Sequence, residues 1–157
     1  MNPDDVVRSQ LLQLLQGGHA HFSFDQAVSD FPLAHINTRP PNVPYTLWHL
    51  LEHLRIAQWD ILEFIRNPHH VSPEWPVGYW PNPAQTATAD QWQATLTAFR
   101  ADQQALAAIV ADPQTDLYAD LPHAAGYNIL REILVVADHN AYHIGEFSIF
   151  RQILGIW

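Results

Sequence analysis

Asn128-Ile129-Leu130-Arg131-Glu132-Ile133-Leu134-Val135-Val136-Ala137-Asp138-His139-Asn140-Ala141-Tyr142-His143-Ile144-Gly145-Glu146 is the stretch on which the fold turns. Ile129, Ile133, Val136, His139, His143, Phe147, Phe150 and Leu154 recur at intervals of three and four, which places them on one helix face. The spacing predicts a helix that opens after Gly126, is capped by Asn128 and runs to about Leu154. Two imidazoles therefore interrupt an otherwise apolar stripe. Burying them is costly unless each is hydrogen-bonded or bound to a metal.

Working outward, the same periodicity recurs three more times. A first helix is expected over Asp4 to Gln16, with Val7, Leu11, Leu14 and Leu15 on one face and Gly17-Gly18 ending it. A short turn of helix is expected at Phe24 to Val28, capped by Ser23, and four prolines make Phe31 to Pro44 an ordered loop. The second long helix is expected from Pro44 to Asn67, with Leu47, Leu50, Leu51, Leu54, Ile61, Leu62 and Ile65 as its stripe. The third is expected from Thr88, where Thr88 and Gln91 fit a capping box, to Ala111, burying Trp92, Leu96, Phe99, Leu106 and Ile109. No segment alternates long enough to read as a strand. Four long helices with apolar stripes predict an all-α four-helix bundle in one domain, residues 1–157. The two long connections leave room for crossovers, and the one from Pro68 to Ala87 carries five of the twelve prolines.

The second helix supplies a third inward imidazole. His53 has Leu50, Ile56 and Ala57 as its helical neighbours, whereas His49, beside Tyr45, Thr46 and Glu52, reads as more polar and peripheral. His49/His53 and His139/His143 both have the i,i+4 spacing that suits chelation, but among ten histidines such pairs also arise by chance. Two readings of His53, His139 and His143 stand side by side: ligands of one divalent ion with a fourth position left open, or hydrogen-bonded core residues. Zn is the default ion for three neutral imidazoles, and the set also suits Ni, Co, Fe or Cu. Glu146, three residues after His143, shares their face and is placed to orient a ligand. Glu146 and His49 are candidates for a catalytic role or for a fourth ligand that would close the site. Trp48, Trp75, Tyr79, Trp80 and Tyr142 are the aromatic candidates for a substrate pocket. Trp48, like Trp59, reads first as core, and the three loop aromatics equally wall a pocket or plug the bundle end. The remaining histidines read as solvated or locally hydrogen-bonded.

Composition removes several classes of function. The 157 residues carry 16 acidic and 7 basic side chains, all seven of them Arg, for a net charge of -9. A surface for nucleic acid or anionic lipid needs clustered positive charge, so neither partner is expected. With no Cys there is no disulfide, thiolate metal site or cysteine nucleophile. The opening Met1-Asn2-Pro3-Asp4-Asp5 has neither a basic nor an apolar leader region, and the longest apolar run, Ile133 to Ala137, is too short to span a bilayer. A cytoplasmic protein is expected.

Three stretches together resemble the DinB/YfiT-like superfamily of bacterial metal-binding four-helix bundles. They are Pro44-Tyr45-Thr46-Leu47-Trp48-His49-Leu50-Leu51-Glu52-His53, Gly78-Tyr79-Trp80-Pro81, and the helix quoted above with its His139-x-x-x-His143-x-Gly145-Glu146. The terminal Leu154-Gly155-Ile156-Trp157 completes the likeness, which spans essentially the whole chain. The resemblance implies up-down-down-up topology, a Zn or Ni ion held by His53, His139 and His143, and a homodimer. It gives His49 no general ligand role. Characterised members are similar to thiol S-transferases and isomerases that use bacillithiol, mycothiol or glutathione, and others are known only as induced by DNA damage.

These readings give one principal expectation, a metal-dependent enzyme that transfers a low-molecular-weight thiol to an electrophilic small molecule. Because the chain has no Cys, the thiol is a co-substrate, and Arg39 or Arg55 is placed to steer its carboxylate. A metal-hydroxide hydrolase at the same site is a near variant, and a non-catalytic metal- or ligand-binding stress protein is the alternative. Either way, imidazole ligands should release the ion as pH falls through about 6.5.

Overall fold

The computed structural model describes residues 2–157. Its helices are α1 (Pro3–Gln16), α2 (Phe24–Val28), α3 (Leu47–Arg66), α4 (Ala89–Ala111) and α5 (Ile129–Ile153). Single 3-10 turns lie at Leu33–His35 and Val77–Tyr79, and a small antiparallel pair joins β1 (Asp120–Leu121) to β2 (Ala124–Asn128). The expected ends of α1, α2, α4 and α5 hold to within a residue. Asn2, Ser23, Thr88 and Asn128 each accept a backbone N–H of the first turn, and the first three form reciprocal capping boxes.

Two expectations change. The second long helix begins at Leu47 rather than Pro44, because Thr46 is its cap. Thr46 Oγ1 accepts the His49 N–H and His49 Nδ1 accepts the Thr46 N–H, both at 3.1 Å, so an imidazole fills the place that Glu or Gln usually takes in a capping box. The hairpin at 120–128 was absent from the expected elements. Two- and five-residue strands are too short to show alternation, and Gly126, at φ +81°, interrupts the second while its N–H reaches Asp120 Oδ2 at 2.9 Å.

Side-chain bonds fix the directions of the helices. Thr95 donates to Glu52 Oε2 (2.9 Å) and Gln58 to the Phe99 carbonyl (2.7 Å), so α3 and α4 run the same way. Asn140 meets Gln58 (2.9 Å), while Leu62 shares a cluster with Ile133 and Val136, so α5 runs opposite to α3. Arg8, near the start of α1, donates to the carbonyls of Val110, Asp112 and Thr115 at the end of α4, and Gln103 Nε2 reaches the Leu15 carbonyl. The order is therefore up-down-down-up, with α3 touching both α4 and α5. Two parallel neighbours cannot be joined by a short turn, which is why residues 67–88 form a long crossover.

The interior divides at mid-height. One cluster gathers Phe24, Phe31, Leu47, Leu51, Trp92, Phe99, Phe147 and Phe150 around the start of α3; the other gathers Leu11, Leu15, Leu62, Leu106, Leu117 and Ile133 around its end. Phe24 stacks on Phe99 with ring centroids 3.9 Å apart. The polar side chains of interest lie between α3 and α5. Among the described residues, no helix is long and apolar enough to cross a membrane.

Candidate metal centre

His53 lies on the α5-facing side of α3, and His139 and His143 lie one turn apart on α5, so antiparallel packing brings the three rings together. All three turn Nε2 inward. His53 Nε2 stands 3.2 Å from His143 Nε2 and 3.1 Å from His139 Nε2, and all three atoms lie within 4.8 Å of one another. Nitrogens about 2.0–2.1 Å from a tetrahedral ion lie about 3.3 Å apart, so the spacing fits one small divalent cation. His53 and His143 are buried and His139 is partly so.

The outer nitrogens set the tautomers. His53 Nδ1–H donates to the Tyr79 carbonyl (2.9 Å), and His143 Nδ1–H donates to Glu146 Oε2 (2.8 Å). A neutral imidazole has one proton, so the inward Nε2 of both rings carries a lone pair. Lone pairs converging at this distance repel unless something positive sits between them. This is the ligand state of histidine, with carbonyl and carboxylate partners of the kind that orient metal-binding rings. Burial, reinforced by the neighbouring imidazoles, pulls His139 down to about 4; burial likewise pulls His53 to about 4 against the opposing pull of the Tyr79 carbonyl. Both are thereby kept neutral.

Glu146 is held at both oxygens. Tyr45 donates its hydroxyl to Oε1 while His143 holds Oε2. Burial raises the Glu146 pKa, but these two hydrogen bonds outweigh it and leave the carboxyl below its ordinary value. Burial and Glu146 together push Tyr45 up, so it stays a donor. Trp80 lies flat on His53, with centroids 3.9 Å apart and planes 5° apart, and Tyr142, largely exposed, sets its ring against the edge of His143.

Tyr79 works at both ends. Its carbonyl receives His53, and its hydroxyl donates to Asp60 Oδ2 at 2.5 Å; burial, aided by that bond, lifts the phenol to about 12. His70 donates to the other Asp60 oxygen at 2.6 Å. The crossover is thus fastened along α3, and of its aromatics Trp80 and Tyr79 reach the cluster. Trp75 is exposed, with its ring tilted against that of Tyr79.

Other expected residues lie elsewhere. His49 is buried rather than peripheral, at 2% exposure, and both nitrogens are engaged: Nδ1 in the α3 cap and Nε2–H on the Gln85 carbonyl (2.9 Å). It has no lone pair left for an ion. Trp48 faces away, packed in the core beside a cleft shared with Glu52, Arg55 and Thr95 on the α4 side of α3. Arg55 is paired with Glu52 there, and Arg39 holds the Pro83 carbonyl. Among the described residues, no fourth His, Asp or Glu joins the cluster.

Sequence reading missed Tyr45, Asp60, Gln58 and Asn140. The last two had a signal: Gln58 lies between Leu54 and Leu62, and Asn140 between Val136 and Ile144, so both break apolar stripes as His139 does.

The family model of the DinB superfamily matches residues 7–147. No curated protein and no solved structure matches the chain.

Proposed function

The chain belongs to the DinB superfamily, and from that membership and the geometry of its three imidazoles we propose a divalent-metal-dependent enzyme that transfers a low-molecular-weight thiol to an electrophilic small molecule. His53, His139 and His143 hold the ion through Nε2, with Zn or Ni the ions that suit an all-imidazole set. The observation that carries the reading is the open ligand set. Among the described residues, the three converging Nε2 atoms have no fourth protein ligand, since His49 and both oxygens of Glu146 are engaged elsewhere. A site built only to brace the fold closes its fourth position; one built for chemistry leaves it for substrate.

A cation bound there supplies Lewis acidity, which lowers the pKa of an arriving thiol so that its thiolate forms at neutral pH. The protein's own part is to fix the three rings through Tyr79 and Glu146, and to shield one side of His53 with Trp80. Tyr142 stands exposed at the edge of His143, where an incoming substrate meets it. In the transfer, the sulfur bonds to the electrophilic carbon, the leaving group departs with its electron pair, and the thiol proton passes to solvent.

The reading extends to a homodimer in the cytoplasm. Leu134, Val135, Ile149 and Ile153 are all exposed and fall within about 100° of the α5 circumference, a stripe that a second copy would cover.

The test is turnover by Zn- or Ni-loaded protein with glutathione, cysteine, bacillithiol and mycothiol against a chromogenic electrophile. Turnover that His143→Ala abolishes is expected. Rates equal to the His143→Ala background with every thiol would overturn the transferase reading.

A further inference from the structure

Two of the three imidazoles have a partner for their outer nitrogen, and the third does not. His139 Nδ1 is buried with no hydrogen-bond partner. If its Nε2 turns to an ion, Nδ1 must carry the ring's proton, and a buried donor left unpaired costs about 1–3 kcal/mol. The neighbouring residue shows the complementary defect: Asn140 Oδ1, an acceptor, is also buried without a partner.

The Asn140 amide has only one consistent orientation. Gln58 Nε2 donates to the Phe99 carbonyl at 2.7 Å, so Gln58 turns Oε1 towards α5. Asn140 Nδ2 donates to that Oε1 at 2.9 Å, and flipping either amide would set two donors or two acceptors face to face. Oδ1 is the atom left over. Gln58 is fully buried and Asn140 is 6% exposed, so water has little access to either.

We infer that Asn140 is the positioning residue for His139: its Oδ1 takes the His139 Nδ1–H when Nε2 is turned onto the ion, and Gln58, anchored on the Phe99 carbonyl, holds the amide in that orientation. The inference rests on the metal-binding reading above and adds to it. The three rings are then fixed in three ways: by a carbonyl of the crossover, by a carboxylate of α5, and by an amide chain that begins on α4. Asn140 has no direct part in chemistry.

The experiment uses Zn2+ as the probe and the full chain. Affinity is measured by competition with a chromophoric chelator for the unaltered protein, Asn140→Ala and Asn140→Asp. Asn140→Ala should bind Zn2+ about 10–100-fold more weakly, and Asn140→Asp, which keeps an acceptor in place, should recover most of the loss. The readout a merely structural role would not move is the His139 Nδ1–H resonance. In the Zn2+-loaded unaltered chain it should be protected from exchange and close to the Asn140 amide protons, and Asn140→Ala should expose it to exchange. Because the resonance is read in the unaltered chain, a variant that fails to fold leaves the inference testable. Unchanged affinity in Asn140→Ala, or an Nδ1–H that exchanges freely in the unaltered chain, overturns the inference while leaving the metal site standing. Failure of the unaltered chain to bind Zn2+ overturns both.

Discussion

His53 Nε2 and His143 Nε2 face each other at 3.2 Å although each ring has already committed its proton on the far side, to the Tyr79 carbonyl and to Glu146. Such a pair of lone pairs stores repulsion that a cation removes, so ion binding should stabilise the fold. At an ion concentration about 100 times Kd the gain is about 2.7 kcal/mol. For a chain of this length that corresponds to a rise in Tm of about 5–10 °C. Thermal unfolding with excess Zn2+ and again with chelator measures it. Identical midpoints would mean that the rings meet only one another.

The response to pH follows from the same burial. An exposed imidazole set would shed its ion near pH 6.5, but His53 and His139 are held down to about 4, so protons compete for those two rings only at lower pH. Zn2+ affinity should therefore persist further into acid than the sequence alone suggests. The metal-free protein carries a second signature. Between pH about 6.5 and 4 the unfolded chain binds protons that the folded chain refuses, so stability should fall as pH drops through that window and be level above it. Urea midpoints from pH 8 to 4 for the unaltered chain and for a His53→Gln, His139→Gln double variant give the measurement. Equal slopes in the two proteins would show that these rings are not the source.

Glu146 orients His143 and is itself braced by Tyr45. Glu146→Gln keeps the volume but replaces a carboxylate with a weaker amide acceptor, and should weaken Zn2+ binding about 10-fold or more. Tyr45→Phe removes only the brace and should cost less. Chelator competition ranks the two variants, and the reverse order would mean that the tyrosine hydroxyl, not the carboxylate, sets the ring.

Much of this was legible beforehand, for reasons that explain what was not. The α5 stripe fixed both the helix and the inward direction of His139 and His143, because a 25-residue helix repeats its pattern often enough to be unambiguous. His53 followed from its apolar neighbours. His49 was misjudged because helix position was read from side-chain neighbours alone, whereas its ring folds back to cap the helix that carries it. The Tyr79 carbonyl had no signal at all, since a backbone acceptor looks the same in every residue and its place depends on how the crossover lies on α3. Asp60 sits seven residues after His53 and so on the same face, but a carboxylate on a helix reads first as solvated. Only its partners, His70 and Tyr79 from the same crossover, account for its burial.

His49 offers the sharpest separation between holding the fold and holding the ion. Its ring closes the cap at Thr46 and pins Gln85, so both of its nitrogens are engaged outside the three converging Nε2 atoms. His49→Ala leaves the Thr46 N–H and the Gln85 carbonyl without partners and opens a void in a fully packed region. The expected loss is about 2 kcal/mol or more, or a fall in Tm of at least about 4 °C. His49→Gln, whose side-chain oxygen is suited to the same cap, should restore part of that stability. Zn2+ affinity should stay within about threefold in both variants, because neither nitrogen of His49 faces the ion. Chemical denaturation and chelator competition on the same samples decide the matter: a large drop in affinity with little loss of stability would place His49 among the ligands and close the fourth position on which the proposed chemistry depends.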